Sequence, residues 1–82
     1  MRITYLLKRD IVSRTAINLV FELANTKNIH IIKNKVCFNG KSLIGVLSNH
    51  LRAGDVITFD IEDLEDIRIV KESLEELGEV IE

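Results

Sequence analysis

The chain has 82 residues, of which 46% are hydrophobic, and a formal net charge of −2. This length provides a single domain, residues 1–82, with room for one small core. A single cysteine excludes an internal disulfide, and no apolar run is long enough to cross a bilayer. The two histidines and the cysteine are too scattered for a metal site. The sequence therefore predicts a cytoplasmic protein with no membrane segment, metal or cofactor.

Charge is divided unevenly along the chain. Residues 1–59 carry nine basic and three acidic side chains, whereas residues 60–82 carry ten acidic and two basic ones. The acidic end is typical of a solvated helix face. The basic part is the better candidate for a protein-binding surface, because clustered charge steers association. Basic and aromatic residues do not alternate as they do in a stacking platform, so we expect no nucleic-acid partner.

The first elements are a strand and a helix. Residues 1–9 alternate between apolar and polar positions, as in a half-buried strand. Ser13 is then predicted to be the N-cap of a helix that runs to about Asn25. The core face of this helix consists of Ala16, Leu19, Val20 and Leu23.

An apolar pair interrupts the polar side of this helix. Ile17 and Phe21 project beside Arg14, within the stripe that should face solvent. Soluble domains rarely expose two such residues together without use, so the pair indicates a binding surface. The alternative is that a loop covers both side chains.

The middle of the chain predicts a hairpin and a short helix. Residues 28–33 and Val36–Asn39 form two strands joined by a turn at Asn34 and Lys35. Their inward side chains are Ile29, Ile31, Val36 and Phe38. After the turn pair Asn39-Gly40, Ser42 takes the N-cap position of a short apolar helix.

The last elements are a strand over residues 55–61 and a helix. Asp63 is predicted to cap this helix, and Gly78 to end it. The order is therefore βαββαβα. Strands with one apolar face and helices on one side predict an α+β open-faced β-sandwich, with a four-stranded antiparallel sheet and three helices on one face.

Three stretches of the chain resemble a known family. Residues 41–47 (KSLIGVL) resemble the regulatory-serine motif of HPr, the phosphocarrier of the sugar phosphotransferase system. Residues 11–20 (IVSRTAINLV) resemble that family's histidine-Ala-Arg-Pro-Ala signature at the start of its first helix, and residues 48–55 resemble the loop before its last strand. Matching Arg14, Leu19 and Val20 to the family places its phosphorylated histidine at Val12. The resemblance thus implies an HPr fold without the usual phosphate acceptor.

The resemblance also implies site residues. Ser13, Arg14 and the first-turn amides would form an anion cradle, and Ser42 would be the regulatory phosphorylation site, at the helix end that favours a phosphate. With the short helix beside the start of the first one, an apolar centre and a cationic border form a partner-binding surface. It consists of Arg14, Ile17, Phe21, Lys41, Leu43, Ile44, Leu47 and Arg52.

The residues favour a binding protein over an enzyme, since no nucleophile–base pair or paired carboxylates appear. The resulting hypothesis is a non-enzymatic, HPr-like regulatory protein controlled by phosphorylation of Ser42. By resemblance, its partners are a serine kinase, a transcription regulator or a phosphotransferase-system component. Two alternatives stay open. One is a phosphocarrier that uses His50, which the resemblance places close to the lost histidine. The other is an interaction module unrelated to sugar transport.

Overall fold

The computed structural model describes all 82 residues as an α+β open-faced β-sandwich, as predicted. An antiparallel sheet is covered on one face by three helices, and none of these helices has the length and hydrophobicity to cross a bilayer. The elements in chain order are β1 (Arg2–Leu7), α1 (Ser13–Leu23), β2 (Ile29–Lys33), β3 (Val36–Asn39), α2 (Leu43–Ser48), β4 (Val56–Ile61), α3 (Ile67–Leu74) and β5 (Gly78–Val80). A 3₁₀ turn, Leu64–Asp66, leads into α3.

The sheet forms because alternate residues of its strands are apolar and share one face. Those residues join the helices in a single core of sixteen buried side chains. At its centre, the rings of Tyr5 and Phe59 meet edge to face, with their centroids 5.7 Å apart. The strand order β3-β2-β4-β1-β5 places β1 between two strands from the second half of the chain.

The fifth strand corrects the predicted four-stranded sheet. We expected one long helix up to Gly78, but α3 ends at Leu74 and Gly78 begins β5, where it pairs with Leu7. The Lys8 amide donates to the Leu77 carbonyl at 2.8 Å. A Cβ atom on Gly78 would lie 2.7 Å from the Leu6 carbonyl oxygen, so the close approach of β5 to β1 requires a glycine.

The β2–β3 hairpin follows the prediction except at Val36. Asn34 and Lys35 both have positive φ (49° and 72°), as in the two-residue turns whose twist matches that of the flanking strands. Ile29 and Ile31 are buried as expected, but Val36 is half exposed. The register places Val36 opposite Lys33, on the predicted face that it shares with Ile31 and Phe38. It stays half exposed rather than buried because it begins the outermost strand of the sheet.

Two carboxylates organise the entry to α3. Asp63 caps the 3₁₀ turn rather than α3 itself, and its carboxylate accepts from the Glu65 amide at 2.9 Å. Asp66 is buried, and it accepts from the Lys27 amide at 2.8 Å. The Asp66 contact attaches the connection after α1 to the start of α3.

Candidate functional site

The start of α1 differs from its predicted form. Val12, not Ser13, is the N-cap residue, and no side chain caps the helix. Ser13 is already helical but has φ +49°, a left-handed conformation that is uncommon for a residue with a Cβ atom. The amides of Ser13 and Arg14 make no hydrogen bond within the chain, and the Arg14 side chain forms no ion pair. Free donors and a free cation therefore meet at this helix end.

The loop of residues 49–55, between α2 and β4, lies against the segment that enters α1. The Ile11 amide donates to the Leu51 carbonyl at 2.8 Å, and the Ala53 amide donates to Asp10 Oδ1, also at 2.8 Å. Both flanking residues of Leu51, His50 and Arg52, are exposed. Sequence reasoning did not identify Asp10, because the residue it contacts is 43 positions away.

A lysine from β2 holds the other side of this loop. Lys33 Nζ donates to the carbonyls of Asn49 (3.1 Å) and His50 (2.8 Å) and pairs with Asp55 Oδ2 at 3.0 Å. Asp55 also accepts from the Arg52 amide at 2.9 Å. This backbone hydrogen bond and then the bond from Lys33 hold the pKa of Asp55 below its usual value. From the sequence alone, Lys33 is predicted only to end a strand.

The start of α2 agrees with the prediction. Ser42 is the N-cap, and its Oγ accepts from the Gly45 amide at 3.2 Å. The preceding Lys41 extends its Nζ to the Thr26 carbonyl at 2.8 Å, just beyond the C-terminal end of α1, where a cation is favourable. Lys41 thereby joins the N-terminal end of α2 to the C-terminal end of α1.

Helices α1 and α2 pack against each other and carry exposed apolar side chains. Phe21 and Ile44 are each 79% exposed, Ile17 is 53% exposed and Leu47 is 39% exposed. We call these four residues the α1–α2 apolar surface. No loop covers Phe21. The other apolar residues of α2 point inward, since Val46 is fully buried and Leu43 packs partly against the core.

The largest cavity lies on another side of α1. It is an open cleft of about 420 Å³ between α1 and α3, and most of its lining residues are polar or charged. Glu22 from α1 faces Glu72, Glu75 and Glu76 across it. This cleft coincides with part of the acidic end of the chain, which was predicted to be a solvated helix face, and it shares none of the predicted site residues.

Solved structures resemble the chain over nearly its whole length. No protein-family model matches it, and no curated protein does. The histidine-containing phosphocarrier protein of a mycoplasma superposes with a TM-score of 0.81 at 24% identity, over 90% of this chain and 91% of that one. HPr-C-His from Thermoanaerobacter tengcongensis gives 0.78 at 20% identity, over 92% and 88%. Phosphocarrier protein HPr from Bacillus anthracis str. Ames gives 0.66 at 26% identity, over 89% and 88%. This chain therefore has the fold of the HPr phosphocarrier proteins.

Proposed function

We propose that this chain is a non-enzymatic, cytoplasmic HPr-like regulatory protein that binds other proteins and carries no phosphoryl group on α1. The observation behind the proposal is Val12 at the N-cap of α1, where the resemblance to HPr places the phosphorylated histidine. A branched alkyl side chain has no nucleophilic atom and cannot accept a phosphoryl group. Ser13 is a poor substitute, since no general base is hydrogen-bonded to its hydroxyl.

The α1–α2 apolar surface supports a protein partner. Isolated exposed apolar residues are ordinary, but four such residues on two packed helices resemble the apolar centre of an interface. Arg14 and Arg52 are exposed and form no ion pair, so they are available for an acidic partner face. By resemblance to HPr, the candidate partners are a serine kinase, a transcription regulator and phosphotransferase-system components.

The phosphocarrier hypothesis is tested with phosphoenolpyruvate and the general phosphotransferase enzyme, with intact mass as the readout. An ordinary HPr serves as the positive control, and this chain should gain no phosphate. An acid-labile gain that disappears in His50→Ala would instead establish His50 as the acceptor and overturn the proposal.

A gain-of-function variant tests whether the surface still fits that enzyme. Val12→His places an imidazole at the N-cap beside the free amides and Arg14. Acid-labile phosphorylation of this variant, but not of wild type, would support an HPr-like docking surface that lost only its acceptor. Failure of Val12→His in the presence of an active control would favour an interaction module unrelated to sugar transport.

Control by phosphorylation of Ser42 is the second part of the proposal. A phosphate on this N-cap would lie at the N-terminal end of α2, where the helix dipole is positive, and outside the core. We expect the HPr serine kinase with ATP to add one phosphate to wild type and to the matched control Ser13→Ala, but none to Ser42→Ala. Equal phosphorylation of all three proteins, or of none by a kinase active on ordinary HPr, would leave Ser42 as a passive cap.

A further inference from the structure

We propose that Lys33 is a positioning residue, which fixes the loop of residues 49–55 against the start of α1 and thereby sets the partner surface. The inference rests on the proposed function in taking this loop as part of that surface. Lys33 itself lies on β2, outside the loop, and it is not one of the predicted site residues.

The contacts of the Lys33 side chain use all three N–H donors of its ammonium group. An ammonium group has three protons, and three acceptors lie within 3.1 Å of Nζ: the Asn49 and His50 carbonyls and Asp55 Oδ2. The Lys33 side chain is only 18% exposed, whereas the basic side chains of the other four ion pairs are 58% exposed or more. An ion pair this sheltered, which also binds two carbonyls, holds one geometry far better than a solvated pair does.

The loop needs such a restraint because His50 is in a strained conformation. Its φ is +48°, in the left-handed region that glycine adopts readily and a residue with a Cβ atom avoids. The carbonyl groups of His50 and of Asn49 both meet Lys33 Nζ. Without the ammonium group these two carbonyls lose their partner, and His50 is free to relax to an ordinary conformation.

The geometry also connects Lys33 to the surface. The Lys33–Asp55 pair holds the carboxylate that accepts from the Arg52 amide, while the Leu51 carbonyl accepts from Ile11, the neighbour of Val12. A change at Lys33 is therefore transmitted through the loop backbone to Arg52 and to the entry of α1.

The experiment compares Lys33→Met with the matched control Lys27→Met, which removes a lysine from the exposed ion pair with Asp63. Amide hydrogen exchange is followed by NMR, and the HN–Hα coupling of His50 reports its φ angle. We expect exchange at residues 49–52 to rise at least tenfold in Lys33→Met, with the sheet unchanged and with no effect of Lys27→Met. Unchanged loop exchange and coupling in Lys33→Met would overturn the proposal.

A second substitution separates positioning from a general loss of stability. Adding His50→Gly to Lys33→Met relieves the strain without restoring the charge, and we expect the loop protection to recover in part. A purely structural role for Lys33 would leave the loop as exposed as in the single variant. If Lys33→Met fails to fold, Asp55→Asn weakens the same cluster more gently and should loosen the same residues; an undisturbed loop there would also refute the proposal.

Binding provides the link to function. The general phosphotransferase enzyme is titrated against wild type, Lys33→Met and the double variant, with an expected five- to tenfold loss of affinity that His50→Gly partly restores. Equal affinity of wild type and of a Lys33→Met with a loosened loop would overturn the role in recognition. If wild type itself does not bind this enzyme, the proposed function loses its partner, whereas hydrogen exchange still decides whether Lys33 positions the loop.

Discussion

Replacement of Phe21 by lysine should impair binding and leave the fold almost intact. Phe21 is 79% exposed, so about a fifth of the ring contacts the protein. A fully buried phenylalanine removes roughly 150–250 Å² from water, so this fifth is about 40 Å² and stabilises by about 1 kcal/mol at ~25 cal/mol per Å². The aliphatic stem of lysine retains part of that contact. We therefore expect Phe21→Lys to lower the free energy of unfolding by less than about 1 kcal/mol.

The effect on association should be larger than the effect on stability. Aromatic residues at the centre of an interface commonly contribute about 2 kcal/mol or more, which is roughly a 30-fold change in Kd. Urea unfolding and titration with the general phosphotransferase enzyme measure the two quantities on the same variant. Asn18→Lys is the matched control, because it adds the same charge to α1 on the side of the acidic cleft.

Two results for Phe21→Lys would contradict these expectations, one in stability and one in affinity. Phe59 is fully buried, and Phe59→Ala should destabilise the chain by about 3–5 kcal/mol. A loss of that size in Phe21→Lys would identify Phe21 as a core residue. Unchanged affinity in Phe21→Lys, with wild type binding normally, would exclude the ring from the interface.

Two further predictions concern stability. Gly78→Ala should destabilise by about 1–3 kcal/mol in urea unfolding, because its Cβ would lie 2.7 Å from the Leu6 carbonyl oxygen. Gly54→Ala, with φ +94° and no atom within 4 Å of its Cβ, should show backbone strain alone. Undiminished stability of Gly78→Ala would contradict the packing explanation. Hydrogen bonds from backbone amides, and secondarily lysine partners, hold the pKa values of Asp55 and Asp63 below the usual value. Their stabilisation is therefore present above the unfolded-state pKa, near about 4, and is lost as the pH falls through the lower folded-state values. A urea midpoint that did not fall between pH 5 and pH 2 would contradict this assignment.

The sequence correctly predicted structural features that depend on residues close together in the chain. The inward positions predicted for β2, Ile29 and Ile31, are buried, and Ser42 caps α2 as its position before an apolar run indicated. The resemblance to HPr likewise led to the fold that the solved structures share. In each case the signal lies in neighbouring residues.

The features that sequence reasoning missed depend on distant partners. β5 is only three residues long and becomes a strand because β1 offers it a free edge, whereas the sequence predicted a helix that continues up to Gly78. Serine is a common N-cap residue, but the helix begins one residue earlier than predicted, with Val12 as its N-cap. The Ser13 hydroxyl therefore caps nothing. Lys33 forms its hydrogen bonds and its ion pair with residues 16 to 22 positions away, and no local pattern indicates such contacts.

The position of β1 in the sheet also constrains when the protein can fold during its synthesis. Its two neighbours are β4, which begins at Val56, and β5, which begins at Gly78, so β1 has no partner until β4 has been synthesised. The β2–β3 hairpin, by contrast, closes through a two-residue turn and needs only local contacts. A nascent chain therefore carries β1 without a partner while both strands of the β2–β3 hairpin are already present, and the sheet cannot be completed before β4 and β5 have been synthesised.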